Sequence, residues 1–352
     1  MDCGAAQKAG SCGREIPDMF VSWGERPVRV RISKVHGHDM SELGRLVNKA
    51  WRGSDSLTLD SAPHGGWDSV SLIARTPRQR YILKLPVLKG PHKAHPYSYE
   101  YEVMNFLRRR DLCPKPIQCD RLDDEFRTPF IIAEYAEGTI PSSLDQIPAS
   151  GLEKMRQALL ILSQLHPRGV QSYKKPSEYL KHITDQVLRS KKGSTGFSPQ
   201  LAAAAGFFGV TAKELGSSID AACVWSRRTM HGDLQESNII IQPDRVLLLD
   251  LGSCSIGEPL LDLAYLVSQA EGATHHHVPD GVFKSYEEAA IIQALVPLAL
   301  MSAIGWSICF LANLEREMIE PEVVTPDIGP RVLGYIHEKM DYLRSILVTR
   351  QT

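Results

Sequence analysis

The stretch HGDLQESNIIIQPDRVLLLDL, residues 231–251, constrains the fold of this chain more than any other part of the sequence. Asp233 lies five residues before Asn238, and Asn238 lies twelve residues before Asp250. Two apolar runs, III and VLLL, flank the polar turn QPDR, which is the pattern of a short β-hairpin. Because a hairpin brings the outer ends of its strands together, we predict that Asn238 and Asp250 lie side by side, with the Asp233 carboxylate nearby.

This set of side chains meets the needs of phosphoryl transfer. One carboxylate orients the attacking hydroxyl group and accepts its proton, while an Asn and an Asp hold Mg²⁺ against the phosphates. An HGDxxxxN string arises by chance in a chain of this length with a probability on the order of 10⁻³, and the aspartate at hairpin spacing lowers it further. The pattern therefore predicts a site for phosphoryl transfer.

The composition argues against some classes of protein. The 352 residues include 40 Lys and Arg against 41 Asp and Glu, which gives a formal net charge of −1. Nucleic-acid affinity rests on a surplus of cations that neutralise phosphates, so we expect no nucleic-acid partner. Hydrophobic residues make up 43% of the chain and charged residues 23%, as in globular proteins with a sizeable core. The length indicates two domains or one bilobal domain.

The first part of the chain has the pattern of a small β-rich lobe. Apolar spacing predicts a helix over Met40–Trp51, and residues 56–87 read as three antiparallel strands separated by the turns HGGWDS and PRQ. A second helix is predicted over Ser98–Arg110, where CPKP stops it, and FIIAEY (Phe130–Tyr135) is a further strand. Ahead of these elements, the period-two alternation in Pro27–Ser33 predicts a half-exposed edge strand.

Beyond Glu137 nearly every segment has a helical pattern. We predict helices over Leu152–Leu165, Pro176–Leu188 and Ala212–Val224, and long helical segments after Leu260. An α+β fold with two lobes is the simplest architecture for this order of elements.

The predicted boundaries follow from the same change of pattern. Residues 1–39 form an N-terminal extension, residues 40–138 form the β-rich N-lobe, and residues 139–352 form the helical C-lobe that carries the 231–251 stretch.

One segment is apolar enough to raise the question of a membrane. Ala289–Ala312 is long enough to span a bilayer, but it contains Gln293 and Pro297, and acidic rather than basic residues flank it. We interpret it as one or two buried core helices, with a membrane span as the alternative.

The cysteines and the N-terminus indicate a cytoplasmic protein. Seven cysteines are an odd number and form no CxxC pair, which fits neither a disulfide framework nor a paired zinc site. The N-terminal residues lack an apolar run of signal-peptide length, so we expect no export.

HGDLQESNIII followed by LLLDLGSCSIGEPLLDLAYL resembles the catalytic signature of the aminoglycoside phosphotransferase and choline kinase family. GGWDSV is similar to the nucleotide-loop turn of that family, ILK to its third strand, and EYEVMNFLRRRDLCPKPI to its lobe helix and the strand that follows. The resemblance covers roughly residues 40–266. It implies a bilobal, protein-kinase-like fold that transfers the γ-phosphate of ATP or GTP, with Mg²⁺, to a hydroxyl group of a small molecule.

The resemblance also implies a role for each residue of the 231–251 stretch. Asp233 would be the catalytic base or positioning carboxylate, and Asn238 and Asp250 would bind Mg²⁺. His231 would support the catalytic loop, and Asp262, further along the chain, would be a structural carboxylate of the C-lobe.

Nucleotide-binding roles fall on the N-lobe and its boundary. Lys84 would hold the α- and β-phosphates and pair with Glu100, which the family pattern favours over Glu102. The remaining residues would contact the nucleotide largely through their backbones: Gly65, Gly66 and Ser69 at the phosphates, and Glu134, Tyr135 and Ala136 at the purine.

Two departures from protein kinases bear on the acceptor. Gln235 stands where protein kinases usually have a lysine, and the twelve residues from Asp250 to Asp262 leave no room for an activation loop. We therefore expect a small-molecule acceptor, such as an aminoglycoside, an amino alcohol or a sugar. The charge of the C-lobe does not select among them, since residues 151–200 carry a net charge of +6 and residues 261–352 a net charge of −6.

The alternatives are a nucleotide-binding pseudokinase and a kinase that acts on a protein. No catalytic position is missing from the sequence, which argues against the pseudokinase. We expect a monomer, the default for a bilobal fold of this kind, without membrane or nucleic-acid partners.

Overall fold

The computed structural model describes residues 34–349, except for 66–68, 90–95, 123–126, 193–196, 273–277, 279 and 320–323. The predicted edge strand over Pro27–Ser33 lies outside the described residues.

The N-lobe is built on a five-stranded antiparallel sheet. Its strands, in the order β3-β4-β5-β7-β6, are β3 (Thr58–Gly65), β4 (Ser69–Arg75), β5 (Arg80–Pro86), β6 (Pro116–Arg121) and β7 (Pro129–Glu134). The first three form the predicted meander, with β4 and β5 in continuous register from Ser69 opposite Pro86 to Arg75 opposite Arg80. The antiparallel sheet and the later helices confirm the α+β prediction.

A short helix precedes the sheet, as predicted. Helix α1 (Met40–Ala50) follows a small hairpin of β1 (Lys34–Val35) and β2 (His38–Asp39). The Asp39 side chain accepts a hydrogen bond from the Glu42 N–H at 2.8 Å, which caps the helix. Leu43 and Val47, one turn apart, are buried against the lobe.

Helix α2 (Pro96–Leu107) follows β5 and precedes β6 in the chain. It packs on the sheet against β6 and β7. It continues as a 3₁₀ turn over Arg108–Arg110, and Asp111 ends it in the left-handed conformation with φ of 52°. The predicted helix over Ser98–Arg110 thus starts two residues earlier in the structure, and its last turn is 3₁₀.

Six helices make up most of the described C-lobe: α3 (Ala149–Gln164), α4 (Pro176–Lys192), α5 (Pro199–Ala222), α6 (Leu260–Gly272), α7 (Tyr286–Glu315) and α8 (Ile328–Thr349). The start predicted for α5 at Ala212 is wrong. The helix starts at Pro199, after Ser198, whose hydroxyl accepts a hydrogen bond from the Leu201 N–H at 3.3 Å.

Helix α7 contains the apolar segment Ala289–Ala312 as one continuous helix, despite Pro297 in its interior. It is long and apolar enough to cross a membrane, but 83% of its most apolar window is buried inside the fold, against α4, α5, α6 and α8. This burial agrees with the interpretation as a core helix.

Short strands carry the loops that face the N-lobe. Strands β8 (Gln171–Ser172), β12 (Ser255–Gly257) and β9 (Arg228–Met230) form one small sheet, and β10 (Ile239–Ile241) pairs with β11 (Val246–Leu248) as the predicted hairpin.

The two lobes are joined at the hinge, residues 134–139, and at a second place. Leu88, just after β5, forms an antiparallel bridge with Ile319, just after α7. The Lys89 N–H donates to the Met318 carbonyl oxygen at 2.8 Å. We call this contact between residues 88–89 and 318–319 the strap.

Candidate active site

The hairpin of β10 and β11 brings Asn238 and Asp250 together, as the spacing predicts. Ile239 lies opposite Leu248, and the Leu249 N–H donates to the Asn238 carbonyl oxygen at 2.9 Å. Asn238 therefore enters the hairpin next to the point where Asp250 leaves it. Asp250 has φ of 54° and ψ of 61°, an unusual backbone conformation for a residue other than glycine.

The predicted catalytic loop, residues 231–238, is held at its start by Asp262. The Asp262 carboxylate accepts hydrogen bonds from the N–H groups of His231, at 2.7 Å, and Gly232, at 2.8 Å. Burial raises the pKa of Asp262 to about 7, although these two donors act to lower it. The predicted structural carboxylate thus contacts the backbone of the catalytic loop directly.

His231 and Gly232 fix the course of the same loop. His231 is fully buried, its Nε2 lies 2.7 Å from the Leu249 carbonyl oxygen, and burial lowers its pKa. Gly232 has φ of +84°, and a Cβ there would collide with the Ser253 carbonyl oxygen. Only glycine fits this position, because the left-handed conformation and the close approach of Ser253 both exclude a side chain.

Asp233 lies at the centre of the loop with one carboxylate oxygen positioned by a neighbour. Gln235 Nε2 donates to Asp233 Oδ1 at 2.8 Å, and Asn238 Nδ2 donates to the Asp233 carbonyl oxygen at 2.9 Å. Gln235, which the sequence showed only as a departure from protein kinases, therefore orients the carboxylate. The Asn238 bond uses its amide nitrogen, so the amide oxygen can serve as a metal ligand.

Lys84 connects the two lobes at the site. Its Nζ lies 3.0 Å from Glu100 Oε2 and 2.9 Å from Asp250 Oδ1. The carboxylate that meets Lys84 from α2 is therefore that of Glu100, not Glu102. Burial acts to raise the pKa of Asp250, but the ammonium of Lys84, together with His231 and the Gly252 N–H, holds that pKa below its usual value.

The charges at the site favour a cation. One ammonium faces the carboxylates of Glu100 and Asp250, and the Asp233 carboxylate lies on the adjacent loop. Oxygen ligands from one Asn and one Asp suit Mg²⁺, which proteins hold through one or two carboxylates together with substrate phosphates. Asn238 and Asp250 therefore fit a Mg²⁺ ion that is bound with a nucleotide.

The predicted phosphate turn lies between β3 and β4. Gly65 ends β3 opposite Val70, and Ser69 starts β4 and is buried. Gly66 lies outside the described residues.

The backbone N–H groups of the hinge differ in whether they already have hydrogen-bond partners. The Glu134 N–H donates to the Lys115 carbonyl oxygen at 2.9 Å, and the Tyr135 N–H donates to the Arg80 carbonyl oxygen at 3.1 Å. In the described part of the chain, the Ala136 N–H has no such partner. Of the three predicted hinge amides, that of Ala136 is thus the one available to a purine.

Two aromatic residues of α2 also belong to the site, and the sequence analysis missed them. The Tyr97 ring centroid lies 5.4 Å from Lys84 Nζ, and the Tyr99 hydroxyl donates to the Cys254 carbonyl oxygen in the loop after Asp250. The signal was the run YSYEY around Glu100, in which three tyrosines alternate with Ser98 and Glu100.

A comparison with protein families identifies one match. The profile of the phosphotransferase enzyme family (APH) matches residues 61–294, which is more than half of the chain. This range contains every predicted site residue. No curated protein sequence gives a significant match.

Three solved structures with similar folds carry the names of kinases or phosphotransferases that act on small molecules. An ethanolamine kinase from Plasmodium vivax aligns with a TM-score of 0.59 and 14% identity, covering 83% of each chain. A choline/ethanolamine kinase family protein from Mesorhizobium loti aligns with a TM-score of 0.56 and 15% identity, covering 88% of this chain and 95% of the other.

A third structure is a thermostable mutant of aminoglycoside phosphotransferase APH(4)-Ia, in ternary complex with AMP-PNP and hygromycin B. It aligns with a TM-score of 0.56 and 12% identity, covering 86% of this chain and 98% of the other. At these identities the likeness concerns the fold, and it confirms the bilobal, protein-kinase-like architecture.

Proposed function

Because this chain belongs to the phosphotransferase enzyme family, we propose that it transfers the γ-phosphate of ATP or GTP to a hydroxyl group of a small molecule, with Mg²⁺. One observation carries the proposal: Lys84 of the N-lobe contacts both Glu100 and Asp250, next to Asn238 and Asp233. Phosphoryl transfer requires these groups in one place, because its catalysis consists mostly of positioning and electrostatic stabilisation.

In this proposal, Asp233 acts on the hydroxyl group of the acceptor. Its carboxylate accepts a hydrogen bond from the acceptor hydroxyl and takes the proton as the hydroxyl oxygen bonds to the γ-phosphorus. The bond between the γ-phosphorus and the β–γ bridging oxygen breaks, and the nucleoside diphosphate leaves. Gln235 holds Oδ1 of Asp233 at 2.8 Å, which keeps the carboxylate oriented before the acceptor arrives.

In this proposal, Lys84 acts on the nucleotide that donates the phosphoryl group. Its ammonium holds the α- and β-phosphates while Glu100 keeps the side chain in place. In the structure Lys84 also forms an ion pair with Asp250, with its Nζ 2.9 Å from Oδ1. We infer that Lys84 releases Asp250 when the nucleotide binds. Asp250 and Asn238 would then hold Mg²⁺, which would neutralise charge on the phosphates.

The segment after Asp250 supports a small-molecule acceptor. A 3₁₀ turn over Leu251–Ser253, strand β12 and the start of α6 at Leu260 take up most of the residues between Asp250 and Asp262. No extended activation segment exists in this described stretch. The fold neighbours are named for ethanolamine and choline, or bind hygromycin B. An aminoglycoside-, amino-alcohol- or sugar-like acceptor is therefore our proposal.

The test is turnover of ATP and of GTP with Mg²⁺, measured against a panel of aminoglycosides, amino alcohols and sugars. Asp233→Ala should lower kcat by about 10²–10⁴-fold, since it removes the general base, while nucleotide affinity changes little. Asp244→Ala is the matched control, because Asp244 is an exposed aspartate in the turn of the same hairpin. It should keep full turnover.

Full activity of Asp233→Ala would remove this residue from the mechanism. Nucleotide binding without turnover for any acceptor would favour the pseudokinase instead. Incorporation of phosphate into a protein would favour the protein kinase. The monomeric state, the cytoplasmic location and the lack of nucleic-acid and membrane partners stay predictions.

A further inference from the structure

A cavity of about 520 Å³ lies beside the hinge, and none of the predicted phosphate or metal residues lines it. Its walls come from three places: the 3₁₀ turn and loop after α2, the hinge, and the turn between β10 and β11. It therefore touches both lobes. The volume lies within the range of about 300–1,000 Å³ that is usual for sites of small molecules.

The cavity is on the opposite face of the sheet from the phosphate site. In an antiparallel pair, residues directly opposite each other share a face, and successive residues alternate between faces. Lys84 lies opposite Ile131, so its face also holds Ala133 but not Glu134, which lies opposite Tyr81. Glu134 lines the cavity. A ligand there would thus lie behind the hinge, on the other face of the sheet from the phosphates, while the hinge residues 134–136 lie between it and the purine site.

Three acidic residues line the cavity, and each already has a basic partner. The ion pairs are Glu134 with Lys115 at 3.2 Å, Asp111 with Arg245 at 3.8 Å, and Glu137 with Arg80 at 2.5 Å. These pairs leave no carboxylate of the lining to balance a further cation.

Two further cations line the same cavity. Arg108 and Arg109 are exposed side chains of the 3₁₀ turn after α2, and no carboxylate of the described chain lies within ion-pairing distance of either. With Lys115 and Arg245, the lining carries four basic residues against three acidic ones, a net charge of +1, and Glu137 is balanced by Arg80 from outside the lining. The guanidinium group is planar and donates paired hydrogen bonds that match the geometry of a phosphate group.

We propose that the cavity behind the hinge binds a phosphate-bearing small molecule through Arg108 and Arg109. The site shares the hinge residues 134–136 with the proposed purine site, but Arg108 and Arg109 lie apart from the proposed phosphate and metal residues, and its existence does not depend on the proposed function. Because the hinge and the β10–β11 turn both line it, a bound ligand would contact both lobes at once.

The test is isothermal titration of inorganic pyrophosphate into the full chain in metal-free buffer. Without metal the active-site cleft attracts an anion weakly, since Lys84 already faces two carboxylates. We expect one bound pyrophosphate per chain. The double variant Arg108→Ala/Arg109→Ala should weaken the affinity by about tenfold or more, through the loss of charge-assisted hydrogen bonds.

Arg110→Ala is the matched control, because Arg110 belongs to the same turn but does not line the cavity. It should bind pyrophosphate within about twofold of the wild type. Arg108→Lys/Arg109→Lys keeps the charge without the planar donors, and an intermediate affinity would support bidentate recognition. Melting temperatures of all variants check that they are folded.

Three results would overturn the proposal. One is the absence of pyrophosphate binding by the wild type. The second is an equal loss of affinity in Arg110→Ala, which would indicate general charge attraction. The third is a loss of affinity in Lys84→Met with none in the double variant, which would place the anion in the active-site cleft.

Discussion

A single buried carboxylate holds the first residues of the proposed catalytic loop in place. The two oxygens of Asp262 accept hydrogen bonds from the N–H groups of His231 and Gly232. These bonds favour the ionised form of the Asp262 carboxyl group. Burial opposes them and raises the pKa of Asp262 to about 7. The charge of Asp262 therefore changes with pH near neutrality. This residue holds the backbone of His231 and Gly232, which directly precede Asp233.

The raised pKa predicts how stability depends on pH. Between the ordinary value of 3.8 and about 7, the folded chain binds more protons at Asp262 than the unfolded chain does. The contribution of Asp262 to the free energy of unfolding therefore falls as the pH rises through this window. Asp262→Asn lacks this contribution, so the stability advantage of the wild type over the variant should shrink between about pH 5 and about pH 7.5.

Urea denaturation of both proteins at a series of pH values measures this difference. An advantage that stays constant or grows with pH would contradict the raised pKa of Asp262.

At the scale of residues, the sequence predicted the side chains that lie close together along the chain. Asn238 and Asp250 belong to one hairpin, so their spacing was sufficient. The choice between Glu100 and Glu102 rested on resemblance, because it depends on how α2 is rotated against the sheet. The contact of Lys84 with Asp250 joins residues 166 positions apart, and no local pattern contains that information.

At the scale of elements, helix α7 organises the C-lobe, because four other helices pack around it. Gly305 allows one of these contacts to be close. A Cβ at Gly305 would collide with Ile183 Cγ2 of α4 and would lie 3.1 Å from Phe208 Cε2 of α5. The absent side chain thus lets three helices meet at one point.

Gly305→Ala should therefore destabilise the fold by about 1–3 kcal/mol through overpacking. Gly209→Ala is the matched control, since Gly209 lies within α5 with nothing within 4 Å of its added Cβ. There alanine should stabilise the chain by about 0.5–1 kcal/mol through its higher helix propensity. Chemical denaturation measures both changes, and opposite signs are the expected result; a neutral Gly305→Ala would refute the close packing.

The elements themselves were predicted to different degrees. Strands β4 and β5 and helices α1 and α3 follow from local periodicity, and the structure has them within a few residues of the predicted bounds. The first half of α5 was missed, although Ser198 and Pro199 form an ordinary helix start. Gly206 and Gly209 weaken the helical pattern there, and packing against α4 and α7 overrides their low propensity.

At the scale of the whole molecule, the lobes are attached on two sides. The hinge is one attachment and the strap is another, in addition to the ion pair of Lys84 with Asp250 and the hydrogen bond from the Leu248 N–H to the Leu112 carbonyl oxygen. Leu88 follows directly on the strand that carries Lys84, so the strap holds that strand to the end of α7. Ile319 is buried in this contact.

Lys89→Pro removes the N–H that donates to Met318 and should weaken the strap. We expect a loss of about 0.5–1.5 kcal/mol in the free energy of unfolding, with faster hydrogen exchange in peptides that contain Met318 and Ile319. Lys89→Ala keeps the backbone donor and should behave as the wild type. Equal exchange rates in the two variants would show that this hydrogen bond does not hold the strap.

The strap also has a consequence for folding during synthesis on the ribosome. Ile319 follows Leu88 by 231 residues (319 − 88), so a ribosome that adds about 5–20 residues per second makes it roughly 10–50 s later. The sheet can form long before its partner exists. We expect the nascent chain to gain the hinge residues first, Asn238 and Asp250 next and the strap last, so that every proposed reactive residue is made before the strap can form.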